Sequence, residues 1–430
     1  MRKNIYLLAL LLIGLSMASC SESNDDNNGN SGNDTEAKYK DASYGNAAVA
    51  SCLAITQQMD AAYNALANSE LTQEQRAELT AILQNLVTAT IVPTYTQLAD
   101  AAEELQAAIG NINVSNLQQS NIDAACTAFK KARKLWEQSE AFLGGAASDF
   151  DIDPTIDSWP LNRSLLLSYF STGSYSDEAL DDASILGFHA LEFILFRDGQ
   201  NRSAEAFKNG AYDTYKGFTS VKAEEEFKYA QAVAKELVLR TYQLQMAWQG
   251  RTAANASRAN TLDAAGYGYT TEKGLSYGEN LTGSYGVNSS FNNIYEALQM
   301  VLNADEGSCS GIANEVGAKK IANPFTNGYV FYVESPYSYN SITDFQDNVR
   351  SIQNVWYGAG PNNGDSAPSA AAHSFYTFFQ NNQSATNRNV TNAIAKAITD
   401  VGNMPAPFVK YCSVFNNVAF EDSQVVDIPE

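Results

Sequence analysis

From Asn46 onward the apolar residues of this chain recur three and four positions apart: Val49, Leu53, Ile55 and Met59, then Leu79, Leu83, Leu86 and Val87. On an α-helix that spacing gathers them on one face. Amphipathic helices are therefore predicted over 47–67 and 72–109, with Pro93 kinking or dividing the second because it offers no N–H and crowds the preceding turn. Another is predicted over 122–143, stopped at Gly144-Gly145, then one over 177–197 closed by Gly199, and a long one over 223–249. Helical patterns resume at 292–303, 344–357, 369–380 and 391–401. Between these sets, the glycine- and tyrosine-rich stretch Gly266 to Val287 breaks all periodicity. The segment GYVFYVESPYSY, Gly328 to Tyr339, has strand-like composition, but Pro336 and its isolation predict a buried extended loop or small hairpin instead of a sheet. The pattern is all-α: two helical-bundle domains, 41–250 and 251–430, with irregular Gly/Tyr-rich insertions. A chain of 430 residues is long enough to bury two cores. The ends AFLGG near Gly144 and VWYGAG near Gly358 raise an internal duplication.

The first residues have a different character. A basic start, an apolar run from Ile5 to Leu15 and small residues before Cys20 read as a secretory signal over 1–19. The run is too short for a comfortable membrane span. Met17-Ala18-Ser19-Cys20 resembles a bacterial lipobox, so Cys20 is expected to carry a lipid anchor, followed by a disordered tether over 20–40. The expected product is an exported lipoprotein of a bacterial outer membrane or cell surface, with the membrane as partner through that anchor. A net charge of −21 excludes nucleic acid as a partner, because phosphate backbones require a basic face. Cys52, Cys126, Cys309 and Cys412 form no C-x-x-C pair, which excludes a zinc knuckle or thioredoxin-like motif. Export permits disulfides, and the spacing leaves their state open.

Chemistry concentrates in LGFHALEFILF, residues 186–196. His189 and Glu192 project from one helix face a turn apart, while Gly187 lies with Leu191 and Ile194 on the other, where a missing side chain admits a close neighbour. The segment is apolar all round, so it is expected to be buried. A buried glutamate stays protonated or finds a cation. Three readings compete: a His–Glu hydrogen bond within a core, a metal site, and an acid/base pair. No second histidine stands at four spacing for an H-E-x-x-H helix, and no E-x-x-H pair exists for a ferritin-like centre. The other histidine, His373 in AAAHSFYTFF, has no carboxylate nearby in sequence and reads as a helix-packing or rim residue.

The longer pattern Gly187-x-His189-x-x-Glu192 resembles the GxHxxE signature of the imelysin-like family. Upstream, Arg133, Trp136, Glu137, Glu140 and Phe142, then Asp157-Ser158-Trp159-Pro160, resemble the blocks that precede it there, over about Leu135 to Gly199. The resemblance implies two bundle-like helical domains with a site near their interface, in exported bacterial proteins associated with iron acquisition and also classed as metallopeptidases. The family's later motif corresponds to Ser338 to Gly358, which keeps the Tyr-Gly ending and carries no histidine. The candidate metal ligands are His189 and Glu192, with Glu140 as a third oxygen or else an exposed helix residue. Gly187, Trp136 and Trp159 read as packing. Asp344, Asp347 and Arg350 either face the site from the second domain or form a surface salt-bridge cluster. Imidazole with carboxylate suits iron or zinc. The favoured function is an envelope lipoprotein for iron uptake that binds a metal ion or an iron-containing ligand, with iron-uptake proteins as partners. The alternatives are an imelysin-type metallopeptidase, which needs a third ligand and a base, and a surface interaction protein whose His–Glu pair is structural.

Overall fold

Helix α1, Ser43–Ala67, buries Ala48, Cys52, Ile55, Met59, Ala62 and Leu66. The buried face is rotated from the expected Val49–Leu53 side, both of which are half-buried, towards small side chains that let neighbours approach. In the computed structural model the described residues are 43–172, 180, 182–209, 218, 221–325, 332–361, 364 and 366–412; the expected signal, Cys20 and tether lie outside them. Helix α2, Gln73–Asn85, opens on a reciprocal cap between Thr72 and Gln75 (3.2 and 3.0 Å). It runs through a π-helical segment, Leu86–Ile91, into α3, Val92–Gly110. The interruption expected at Pro93 is thus a wider turn immediately before it, where the missing proline N–H does no harm. Helix α4, Gln119–Glu137, ends earlier than the sequence pattern predicts. Ser139 donates both its N–H and its hydroxyl to the Trp136 carbonyl, each at 2.7 Å, and the chain turns through a 3₁₀ segment, Glu140–Phe142.

Helix α5, Gly187–Leu195, is half as long as expected. Ala183–Ile185 before it is a 3₁₀ turn capped by Asp182, and the start of the expected helix falls partly outside the described residues. After Leu195 the chain forms a two-residue antiparallel hairpin, Phe196–Arg197 with Gln200–Asn201. Gly199 serves the hairpin turn at φ +74° instead of closing the helix. The helices that follow include α6, Ala223–Gln249; α7, Ile294–Leu302; α8, Cys309–Glu315; α9, Ser341–Tyr357; α10, Phe375–Asn382; and α11, Ser384–Gly402. A second π segment, Val316–Ile321, continues α8. A helix running through a π turn occurs in both halves, followed by 19 helical residues in the first and by the four residues Ala322–Phe325 in the second. Within 266–287 the chain is irregular apart from Tyr277–Thr282, and residues 333–340 form a buried loop.

Helices α3, α4 and α6 pack together, with α5 seated on α4 and α6. Helix α1 packs on α8 and α11 instead of its chain neighbour α2, so the first helix completes the bundle built by the last ones. Helices α4 and α9 lie side by side between the two groups. Cys52, Cys126, Cys309 and Cys412 are buried free thiols. No helix among the described residues is long and apolar enough to cross a membrane.

Gly187 fixes where α5 begins. Its φ is +73°, and a Cβ there would stand 2.1 Å from the Ile156 carbonyl oxygen. Gly187→Ala combines a left-handed backbone that side chains disfavour with an overlap against rigid backbone, and is expected to destabilise the protein by about 2–5 kcal/mol. Urea denaturation checks this; a loss below about 0.5 kcal/mol would show that the neighbouring turn yields freely.

Candidate metal centre

An α5 that is buried throughout sets His189 and Glu192 in the interior, 2% and 1% exposed. The His189 Nδ1 atom lies 3.5 Å from Glu192 Oε2. The other Glu192 oxygen, Oε1, accepts from the backbone N–H of Tyr337 (3.1 Å) and from the N–H and hydroxyl of Ser338 (2.8 and 2.6 Å). The 333–340 loop therefore holds Glu192, and Glu192 faces one edge of the imidazole. The opposite edge, Nε2, lies 3.2 Å from Asp157 Oδ1 but has no aligned hydrogen bond.

Asp157 follows the short helix Ile152–Ile156, whose last carbonyl packs against Gly187. Its Oδ2 accepts from the Trp136 indole N–H at 2.7 Å, and its Oδ1 accepts from Arg133. Arg133, on α4, is 1% exposed and also pairs with Glu137 one turn on, with Glu334 Oε1 at 2.8 Å, and faces Asp344 Oδ2 at 3.7 Å. Glu334 begins the buried loop and takes a second cation, Lys320 of the π segment, at 3.2 Å. Its other oxygen, Oε2, is buried without a partner. Asp157, His189 and Glu334 each offer a donor atom, all within 4.8 Å of one another. An imidazole nitrogen and two carboxylates fit a first-row metal ion. Glu334 Oε2, buried without a partner, and His189 Nε2, which meets only Asp157 at 3.2 Å, are the positions such an ion would satisfy.

The family model for imelysin, a peptidase family, matches residues 91–424. The chain belongs to the imelysin family. Iron-regulated protein A of Synechococcus elongatus is 32% identical over 114 residues, which is 26% of this chain. The match spans 31% of that relative's length. The crystal structure of a Parabacteroides distasonis protein assigned as an iron-regulated protein A precursor shares the fold, with a TM-score of 0.59 at 24% identity over 80% of this chain and 97% of that one.

Within this imelysin fold the residues singled out from sequence divide into groups. His189 and Glu192 are brought together, with Glu192 on the side of the ring away from the three-donor cluster. Glu140 is neither exposed nor within that cluster: at 6% exposure it lines an adjoining cavity of about 340 Å³. Trp136 donates to Asp157 as well as packing on Phe188. Trp159 lines the cavity wall and meets Tyr332 edge to face. Asp344, Asp347 and Arg350 are buried, which overturns the surface salt-bridge reading. Asp344 joins the Arg133 network, whereas Arg350 donates to Asp347, which also accepts from Gln138 at 2.8 Å, in a separate buried group. His373 is an exposed residue with a carboxylate partner remote in sequence, Glu78 at 3.0 Å. Asp157 and Glu334 had not stood out as donors. The one signal for Glu334 is a lone charge within the aromatic run YVFYVESPY, the same signal that exposes His189.

Electrostatics explain the protonation of the group. Burial and the Arg133 charge push His189 towards neutrality, but the Asp157 and Glu192 carboxylates outweigh them and hold its pKa up at about 9. Burial disfavours the Asp157 carboxylate, yet Arg133 and His189 keep it well below the usual carboxylate range. Burial lifts Asp344 to about 7 and holds Glu137 well above its ordinary value, in both cases against the pull of Arg133.

A histidine that binds its proton more tightly when folded stabilises the fold below its unfolded pKa, 6.5, and loses that contribution as pH rises through about 9. In metal-free protein, the parent should exceed His189→Gln by on the order of 3 kcal/mol at low pH, the advantage vanishing above that window. Denaturation of both in chelator, at about pH 6 and about pH 10, reads the difference. An advantage that stays level or grows with pH would contradict the assignment.

Proposed function

We propose that this imelysin-family chain binds a metal ion, iron foremost, through Asp157, His189 and Glu334, and serves iron acquisition at the bacterial envelope. The observation that carries the reading is the convergence of three donors from separate segments, with Glu334 Oε2 buried without a partner. The iron assignment draws on the name of the Synechococcus elongatus relative and on the donor set, which suits iron and zinc. Asp157, Glu334, Glu137, Asp344 and Glu192 face Arg133, Lys320 and the protonated His189, so a bound cation would take the place of protons held by His189 and the buried carboxylates. Glu192 orients His189 from Nδ1, the usual role of a carboxylate behind a metal-binding imidazole. From that side it does not reach a water bound beyond Nε2, which favours binding over peptidase chemistry.

Calorimetric titration with Fe²⁺ under anaerobic conditions, and with Zn²⁺ in parallel, tests this directly. The parent should show a tight class of sites that His189→Ala abolishes and Glu192→Gln weakens by about 10–100-fold. Equal uptake by parent and His189→Ala would sink the site. Metal-dependent cleavage of an unfolded protein by the parent, lost in His189→Ala, would move the reading to the peptidase.

The reading includes tethering to the membrane through lipid at Cys20. Fatty-acid labelling should mark the parent and not Cys20→Ser; equal labelling of both would remove the anchor.

A further inference from the structure

Two cations meet the same oxygen of the donor Glu334, and they are held very differently. Arg133 lies 2.8 Å from Glu334 Oε1 and is locked by Glu137, Asp157 and Asp344 as well. Lys320, from the π segment after α8, is 3% exposed and reaches that oxygen at 3.2 Å. Its other partner is Asn348 Oδ1, at 3.3 Å. Both contacts are long for an ammonium, whose charge-assisted bonds close to about 2.7–2.9 Å. Lys320 also lines the cavity of about 340 Å³ beside the cluster, and Glu140 lines it too. Burial works against the Lys320 charge, but Glu140, Glu334 and Glu137, in that order, outweigh it, so the side chain stays a cation.

That charge sets Lys320 apart when an ion enters. Protons on His189 and on the buried carboxylates leave as a metal binds. The Lys320 ammonium stays, one residue away from the ion, in an interior that screens repulsion poorly. Arg133 is fixed by its other carboxylates, whereas Lys320 has a flexible four-carbon stem, two long contacts and a cavity beside it. We infer that Lys320 is a movable counter-cation of the metal centre, resting on Glu334 in the metal-free protein and turning towards Glu140 when an ion binds. By competing for Glu334 it limits affinity, which lets a protein of iron acquisition give up its ion. The inference rests on the metal-binding reading and names how that site is regulated.

Zn²⁺ is the probe, because it has no redox chemistry. Competition against a chromophoric chelator reads affinity, and stopped-flow mixing with excess chelator reads release. Lys320→Met keeps the bulk of the side chain; Lys320→Gln keeps a hydrogen-bond donor without the charge. Each should bind Zn²⁺ at least about tenfold more tightly than the parent and release it more slowly. A lysine that merely supports the fold would leave affinity unchanged or lower it when removed. Glu140→Gln should weaken binding about threefold or more in the parent and less than about twofold in Lys320→Met, because Glu140 acts through the lysine. Circular dichroism verifies folding, and Lys320→Gln replaces Lys320→Met if the latter does not fold. Affinity equal to or below that of the parent in the Lys320 variants overturns the proposal, as does a Glu140→Gln effect that is absent from the parent or persists without Lys320. In those cases His189-dependent Zn²⁺ binding by the parent leaves the metal centre standing; absence of binding by the parent overturns both.

Discussion

The Arg133 guanidinium is the constraint on which the centre depends. It meets Glu137 on its own helix, Asp157 beyond Ile152–Ile156, Glu334 in the buried loop and Asp344 on α9. A single planar fork can address that many carboxylates from different directions, which a lysine point charge cannot. Because the cluster lies in the interior, losing the guanidinium would leave several charges without water or partner. The packing of α4 against α9, the seat of the 333–340 loop and the position of Asp157 are therefore one electrostatic problem with one solution. Phe188 lies beneath the guanidinium, 5.4 Å from ring centre to Cζ, so the residue before His189 is tied to the same group.

That solution is incomplete by design of the residues present. Five carboxylates face Arg133, Lys320 and His189, and the balance is kept by protons: burial drives Glu137 and Asp344 towards their protonated forms, and the carboxylates hold the proton on His189. Charge balanced by protons in this way depends on pH. The supporting contacts keep it from collapsing: Trp136 fixes Asp157, Ser338 fixes Glu192, and Asn348 donates to Glu137 while accepting from Lys320. An imidazole set between carboxylates distinguishes this group from the Asp347–Arg350–Gln138 network, where one carboxylate pairs with one guanidinium.

The long helices were legible in the sequence because burying one face imposes three- and four-residue spacing, as Leu79, Leu83, Leu86 and Val87 show. The π segments were not, since shifting a hydrogen bond by one residue changes the geometry without changing which residue types are tolerated. Pro93 marked the first interruption only approximately, and nothing comparable marked Val316–Ile321, although that turn carries Lys320 into the centre. The partner of α1 was equally hidden. Its small buried face of Ala48 and Cys52 carries no signal that it would pack on helices hundreds of residues away.

The site was legible only as far as one helix reaches. His189 and Glu192 stood out because two polar residues interrupt an apolar run and share a face. The same spacing limits what the pair can do: a carboxylate one turn along meets the near edge of the imidazole, Nδ1, and leaves Nε2 pointing away from its own helix. Any donors beside Nε2 must come from other segments, and they do, as Asp157 and Glu334. Periodicity detects residues that share a face of one element; it is blind to residues that share a point in space. A motif of this length therefore identifies the histidine and its carboxylate neighbour, while the groups beside Nε2 are written in the topology that brings Ile152–Ile156, α5 and the 333–340 loop together.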